Sequence, residues 1–189
     1  MSHSQIDIVQ LQHRVAIARD QQAYKALFKY FHKPLIGFGT SIVKSKEAAE
    51  EIYSDIMLKI WDLGAALISI GNLKVYLFIS VKNAALNYLA KYYKIKTVDI
   101  ETLDLKLPHV NTPEEDLLSS EFQRTLAQAI KSLPAKSQLV YKLIKEEGFS
   151  YKQVADVLEI SVNTVEGHMS TALKKLSTSL SAYLRQGNK

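Results

Sequence analysis

The chain of 189 residues contains no cysteine. That absence removes disulfides, thiolate zinc sites and a cysteine nucleophile together. Only four prolines and seven glycines interrupt it, and no Val/Thr-rich alternation marks strands, so an all-α fold is expected. No apolar run nears the ~18 residues of a membrane span. The opening residues, MSHSQIDIVQLQHR, lack a signal-peptide core, and a cytoplasmic protein is expected. The five histidines, His3, His13, His32, His109 and His168, are scattered without ligand spacing, and neither a phosphate-binding glycine loop nor G-x-S-x-G occurs. An enzyme is therefore disfavoured, and no cofactor or metal is expected.

Apolar residues make up 47% of the chain, ample for a core and too many for wholesale disorder. The net charge of +5 is unevenly spread: residues 1–96 carry +6, residues 97–121 carry −6, and residues 122–189 carry +5. Two basic segments thus flank an acidic one. Basic domains suit a polyanion such as DNA, through phosphate neutralisation and counterion release. Solubility alone would account for the charge equally well.

The stretch from Ser150 to Leu176 is the most informative. Val154, Ala155 and Leu158 form the apolar side of one short helix, with Ser150 as its N-cap. After the break Glu159-Ile160-Ser161, apolar residues recur at Val165, Met169, Ala172 and Leu176, one side of a second helix that Ser161 can cap. Two short helices meeting at a tight turn, the second with polar residues outward, predict a helix-turn-helix. The outward positions are Asn163, Thr164, Glu166, Gly167, Ser170, Thr171 and Lys174. They are short and polar, suited to base edges and phosphates in a major groove. The plainer alternative is a helical hairpin inside an all-α domain.

Upstream, helical spacing runs from Ile6 to about Phe38 in two patterns, with Asp20 between them as a cap for the second. Pro34 predicts a kink or a break. After the polar turn Lys44-Ser45-Lys46, a further helix carries Ala48, Ile52, Ile56, Ile60 and Leu63 on its apolar side, with Trp61 near its end. Its polar side, Glu47, Glu50, Glu51, Ser54, Asp55 and Lys59, is a solvated face or a surface for a basic partner. No histidine or nucleophile accompanies those carboxylates, so catalysis is not expected there. GAALISIG, residues 64–71, reads as a glycine-bounded loop.

From Val75 to about Lys94 another helix is expected, with Lys74, Lys82, Asn83, Asn87, Lys91 and Lys94 supplying a basic, amide-bearing side. Tyr76, Tyr88, Tyr92 and Tyr93 interleave with them. Rings and cations together suit the stacked bases of single-stranded nucleic acid, although a buried amphipathic helix with edge tyrosines would look the same. Thr97 to about Glu114 has no helical period and reads as a linker. Thr112 can then cap, and Pro113 open, a helix running through Leu117, Leu118, Phe122, Leu126 and Ile130. Ser132-Leu133-Pro134 starts the next, which Gly148 ends.

With these pieces in order, the chain resembles the extracytoplasmic function (ECF) sigma factors of bacterial RNA polymerase, over about residues 20–96 and 120–177. Ala49 to Trp61, AEEIYSDIMLKIW, is similar to the family's core-polymerase-binding helix. Tyr76 to Asn83, YLFISVKN, with Asn87-Tyr88-Leu89, is similar to its promoter −10 helix. Leu133-Pro134-Ala135-Lys136 followed by Gly148-Phe149-Ser150-Tyr151 is similar to the entry of its −35 domain, and the helix-turn-helix follows at the family's spacing.

The resemblance implies two small helical domains, residues 1–96 (σ2-like) and 117–189 (σ4-like), joined by a flexible acidic linker, 97–116. Glu50, Glu51, Asp55 and Lys59 would dock on the coiled coil of the polymerase clamp. Lys74, Lys82, Asn83, Asn87 and Lys91 would meet −10 DNA, with Asn83 and the GAALISIG loop holding a non-template base. Extruding that base costs a few kcal/mol, so the free factor should bind promoters poorly. The helix-turn-helix positions above would read −35 duplex, and the linker would thread near the RNA exit path. The implied partners are core RNA polymerase, promoter DNA and an anti-sigma factor, often membrane-anchored, with no small-molecule substrate.

Four departures from the family pattern stand out, the first being that the GAALISIG loop has neither aromatic nor charged residues. Glu159 occupies a turn position usually held by glycine, and Thr171 and Ala90 occupy places where basic residues are frequent. A stand-alone helix-turn-helix regulator is the alternative reading; it would need neither the Glu50–Trp61 helix nor the acidic linker.

Overall fold

The computed structural model describes residues 7–93 and 121–186. They fall into two compact units, divided after Asp99. Every regular element among the described residues is helical, in keeping with the all-α expectation. The expected linker, and the expected cap at Thr112 and Pro113, lie outside the described residues, as does Lys94.

The first unit comprises α1 (Ile8–Ala18), α2 (Gln21–Val43), α3 (Lys46–Leu63), a 3₁₀ segment (Gly64–Ser69) and α4 (Leu73–Tyr93). Its corners are made by capping. Asp20 accepts from the backbone N–H groups of Gln22 and Ala23 at 2.8 and 3.0 Å, satisfying free donors at the start of α2. The same carboxylate accepts from Arg14 at 2.6 Å, tying α1 to the corner. Lys44 ends α2 in the left-handed conformation, and Ser45 caps α3 through the N–H of Ala48.

Pro34 produces no break: α2 is one helix of 23 residues with the proline inside it. Leu27, Phe31 and Leu35 are fully buried, with Phe38 and Ile42 nearly so. An apolar side chain buried in this way contributes roughly 1.5–3 kcal/mol. Several of them, on both sides of Pro34, outweigh the ~3 kcal/mol that a mid-helix proline costs.

Helices α2, α3 and α4 converge at Gly39. A Cβ there would stand 3.2 Å from Cβ of Ala49 and 3.4 Å from Cγ1 of Val81, so only glycine permits this approach without displacement. Tyr53, buried on α3, donates its hydroxyl to the carbonyl of Phe28 at 2.5 Å. Burial raises its pKa above the ordinary tyrosine value, which keeps it a neutral donor.

The second unit comprises α5 (Glu121–Lys131), α6 (Ala135–Lys145), α7 (Tyr151–Leu158) and α8 (Val162–Gln186). Ala129 and Leu133 pack with Ala172 and Leu176, flanked by Ile130 and Tyr141. Gly148 turns the chain after α6 with φ +71°, a conformation open to glycine at no steric cost. Ser150 and Gln153 form a reciprocal capping box at the start of α7. Glu159 then takes the left-handed conformation, φ 56°, and the hydroxyl of Ser161 accepts from the N–H of Thr164 at 3.0 Å to open α8.

Candidate nucleic-acid interface

Helix α8 separates into two sides. Val165 and Ala172 are fully buried, and Met169 and Leu176 nearly so, which leaves the outward row to solvent. Asn163, Glu166, Gly167, Ser170, Thr171 and Lys174 are exposed, while Thr164 is half-buried. Two of the hydroxyls are already engaged: Thr164 shares a 2.8 Å hydrogen bond with Ser161, and Thr171 donates to the carbonyl of Gly167 at 2.9 Å. That leaves the amide of Asn163, the hydroxyl of Ser170 and the ammonium of Lys174 as the groups best placed for base edges and phosphates. A Cβ at Gly167 would meet nothing within 4 Å. No intramolecular contact demands glycine there, and its lack of a side chain leaves the helix backbone open to a close neighbour.

On α3, Glu51, Asp55 and Lys59 are exposed, and Glu50 is half-buried with a 3.4 Å ion pair to Lys46. Among the described residues no three acidic or histidine side chains converge as a metal site would require. Leu58 lies within this row and is 58% exposed. Sequence reasoning missed it, although its position off the Ile52–Ile56–Ile60 stripe was a usable signal. An exposed leucine framed by charged groups combines an apolar anchor with a polar rim, as protein-docking faces do.

On α4, Tyr76, Asn83, Asn87 and Lys91 are exposed, Lys74 is half-buried, and Asn72 caps the helix through the N–H of Val75. Tyr88 and Tyr92 lie ring to ring, 4.4 Å between centroids, and Nζ of Lys91 is 5.8 Å from the Tyr92 centroid. Aromatic faces beside a cation form the platform on which bases stack.

Lys82 departs from expectation: its side chain is fully buried, so it is not part of this open basic side. It falls in register with Phe78, Ala85 and Leu89, all buried on the inward stripe of α4, and its aliphatic stem occupies that stripe.

Of the stretch expected to be a loop, residues 64–71, the first six residues are instead ordered as the 3₁₀ segment, Gly64–Ser69. Leu67 is fully buried and anchors it, while Ala65, Ala66, Ile68 and Ser69 are exposed. Sequence reasoning also missed Gln12 of α1, whose amide Nε2 donates to the carbonyls of Leu67 and Ile70 at 2.8 Å each.

Two family models match the chain on these helices. Residues 27–94 match Sigma-70 region 2, and residues 123–176 match Sigma-70, region 4. The chain is 24% identical over 169 residues to an ECF RNA polymerase sigma-E factor of Haemophilus influenzae, covering 85% of this chain and 89% of that protein. It is 25% identical over 182 residues to the RNA polymerase sigma-H factor of Pseudomonas aeruginosa, covering 88% and 91% respectively. Its fold is similar to that of CnrH, solved in complex with the cytosolic domain of CnrY. That likeness has a TM-score of 0.53 at 21% identity and covers 92% of this chain and 97% of the other. With regions 2 and 4 in order on the helices that carry these surfaces, the chain belongs to the ECF sigma factors, alternative sigma factors that direct the initiation of transcription.

Proposed function

We propose that residues 1–96 engage core RNA polymerase and the −10 element, that residues 117–189 read the −35 element, and that residues 97–116 link them. Glu50, Glu51, Asp55 and Lys59 meet the clamp coiled coil of the polymerase, with Leu58 as an apolar anchor among them. Asn83, Asn87, Lys91 and the half-buried Lys74 hold the melted −10 strand, while the Tyr88–Tyr92 pair stacks against its bases and the 3₁₀ segment receives an extruded one. The α8 row from Asn163 to Lys174 enters the major groove at −35. No covalent chemistry is involved: the protein acts by positioning and by offsetting the cost of opening DNA.

The observation that carries this reading is the exposed row Tyr76–Asn83–Asn87–Lys91 of α4, with the Tyr88–Tyr92 ring pair on the same helix. A duplex-only regulator has no use for an amide- and ring-bearing face of that kind. An anti-sigma protein is proposed as a further partner; that a protein of similar fold, CnrH, was solved with the cytosolic domain of CnrY supports it. No helix among the described residues is long and apolar enough to cross a membrane, and a factor that works on polymerase and promoter DNA belongs in the cytoplasm.

Run-off transcription tests the reading. The protein is combined with core polymerase and a library of upstream DNA, beside a gel shift of the protein alone. Core-dependent transcripts from defined start sites are expected. Tight sequence-specific shifts without core, and no transcripts, would instead identify a free-standing helix-turn-helix regulator.

A further inference from the structure

Helix α1 takes no part in the surfaces assigned above, yet its Gln12 holds the C-terminal part of the 3₁₀ segment. Gln12 is only 5% exposed, and its Nε2 donates to Leu67 O and Ile70 O, each at 2.8 Å. A primary amide suits this place, because it offers two N–H bonds on one atom and buries no charge. A carboxylate of the same shape could only accept. The segment also closes on itself, with the Ile70 N–H directed to Leu67 O at 3.3 Å. At the other end, Arg19 follows directly on α1 and donates through Nη1 to the carbonyl of Trp61. That guanidinium nitrogen lies 3.4 Å from where a Cβ on Gly64 would stand. Between the two anchors, the side chains of Ala65, Ala66, Ile68 and Ser69 face solvent.

We propose that Gln12 is a positioning residue for promoter recognition. It fixes the shape of the 3₁₀ segment before DNA arrives, so that an extruded −10 base meets a surface already formed. The inference rests on the reading that this segment receives a base. A segment that orders itself only on capture loses affinity to that ordering, and a loose one admits wrong bases nearly as well as the right one. Gln12 touches no DNA in this account; it acts through the two carbonyls it holds.

The test uses Gln12→Met, which keeps length and apolar bulk but removes both donors, and Gln12→Glu, which keeps the shape and repels both carbonyls. Each full-length variant is assayed by run-off transcription with core polymerase, on a promoter selected from the library and on its single-base variants across the −10 element. Core affinity and thermal unfolding are measured alongside. The expected result is unchanged core affinity with discrimination at one −10 position reduced roughly tenfold, the scale of leaving buried acceptors unsatisfied.

A variant of the exposed surface alone, Ile68→Ala, leaves the Gln12 bonds and the Ser69–Ala66 hydrogen bond in place and tests the underlying reading separately. If it alters discrimination while Gln12→Met does not, the positioning role is overturned and the base-receiving role stands. If it alters nothing, the base-receiving reading fails and the proposal with it. Amide hydrogen exchange on the free wild-type protein keeps the proposal falsifiable even if the Gln12 variants fail to fold. Protection of the Ile70 N–H is expected, and exchange at the rate of an open loop would refute a pre-set segment.

Discussion

The guanidinium of Arg19 lies 4.2 Å from the centroid of the Trp61 ring while one of its nitrogens donates to the Trp61 backbone carbonyl. It does so from a left-handed backbone, φ 50°. The cation thus meets both the ring face and the negative end of α3. Arg19→Ala should destabilise the first unit by about 1 kcal/mol. Arg19→Gly should cost less, because glycine relieves the backbone that the alanine variant still carries. Trp61 is the only tryptophan in the chain, so its fluorescence during urea unfolding reports this unit and checks the order of the two variants.

The carboxyl of Asp20 is held below its ordinary pKa of 3.8, chiefly by the N–H of Ala23 and next by the Arg14 side chain. A carboxylate depressed in the folded state contributes fully above its unfolded value and loses that contribution as pH falls through its folded value. The share of stability due to Asp20 should therefore disappear only in acid, below about pH 3.8. Asn is an equally good N-cap, so Asp20→Asn should keep α2 capped while flattening that part of the acid limb. Thermal unfolding followed from about pH 5 to about pH 2 measures it.

At Glu159 the left-handed backbone sits in the middle of the helix-turn-helix. A non-glycine residue there carries a cost of roughly 1 kcal/mol. Glu159→Gly should raise the stability of the second unit by a comparable amount without shifting the −35 preference, since the side chain lies in the turn and outside the α8 row. Chemical denaturation followed by circular dichroism, with promoter selection in parallel, checks both halves.

Glu51→Lys combined with Asp55→Lys reverses charge on two exposed side chains. Core-polymerase affinity should be lost and thermal stability retained, because neither group supports the fold. Leu58→Ala should weaken the same binding by roughly tenfold if it is a docking anchor. Unchanged affinity in the double variant would remove α3 from the polymerase interface.

Lys82 and Lys91 should behave differently although both lie on α4. Lys91→Ala should lower the salt dependence of open-complex formation by roughly 0.7 per decade, the loss of one phosphate contact on single-stranded DNA. Lys82→Met, at a buried position, should leave that slope unchanged. Asn83→Ala should reduce open complexes more than duplex binding. Salt titrations of complex lifetime separate these outcomes.

The turns and caps were legible because their chemistry is local. Asp20, Ser150 and Ser161 each announce a helix start, and the Val165–Leu176 stripe is buried as its period requires. What escaped depends on neighbours far along the chain. Pro34 reads as a breaker until the weight of Leu27, Phe31 and Leu35 behind it is known. Lys82 reads as a surface cation because its type is charged, although its spacing from Phe78, Ala85 and Leu89 places it inward. Gln12 is one polar residue among several on α1, and nothing near it in sequence points to carbonyls more than fifty residues away. The 3₁₀ order of residues 64–69 was hidden for the same reason.

The meeting of Gly39, Ala49 and Val81 also has a mechanical side. In the proposed reading α3 meets polymerase and α4 meets promoter DNA, and both rest against α2 at Gly39, where only the Ala49 methyl and the Val81 side chain come between the backbones. Close-packed interiors yield little and transmit strain. In that reading a load placed on α3 by docking would reach α4 as a displacement of the whole helix, and gripping the enzyme and presenting a surface to DNA would be a single movement of one stiff part.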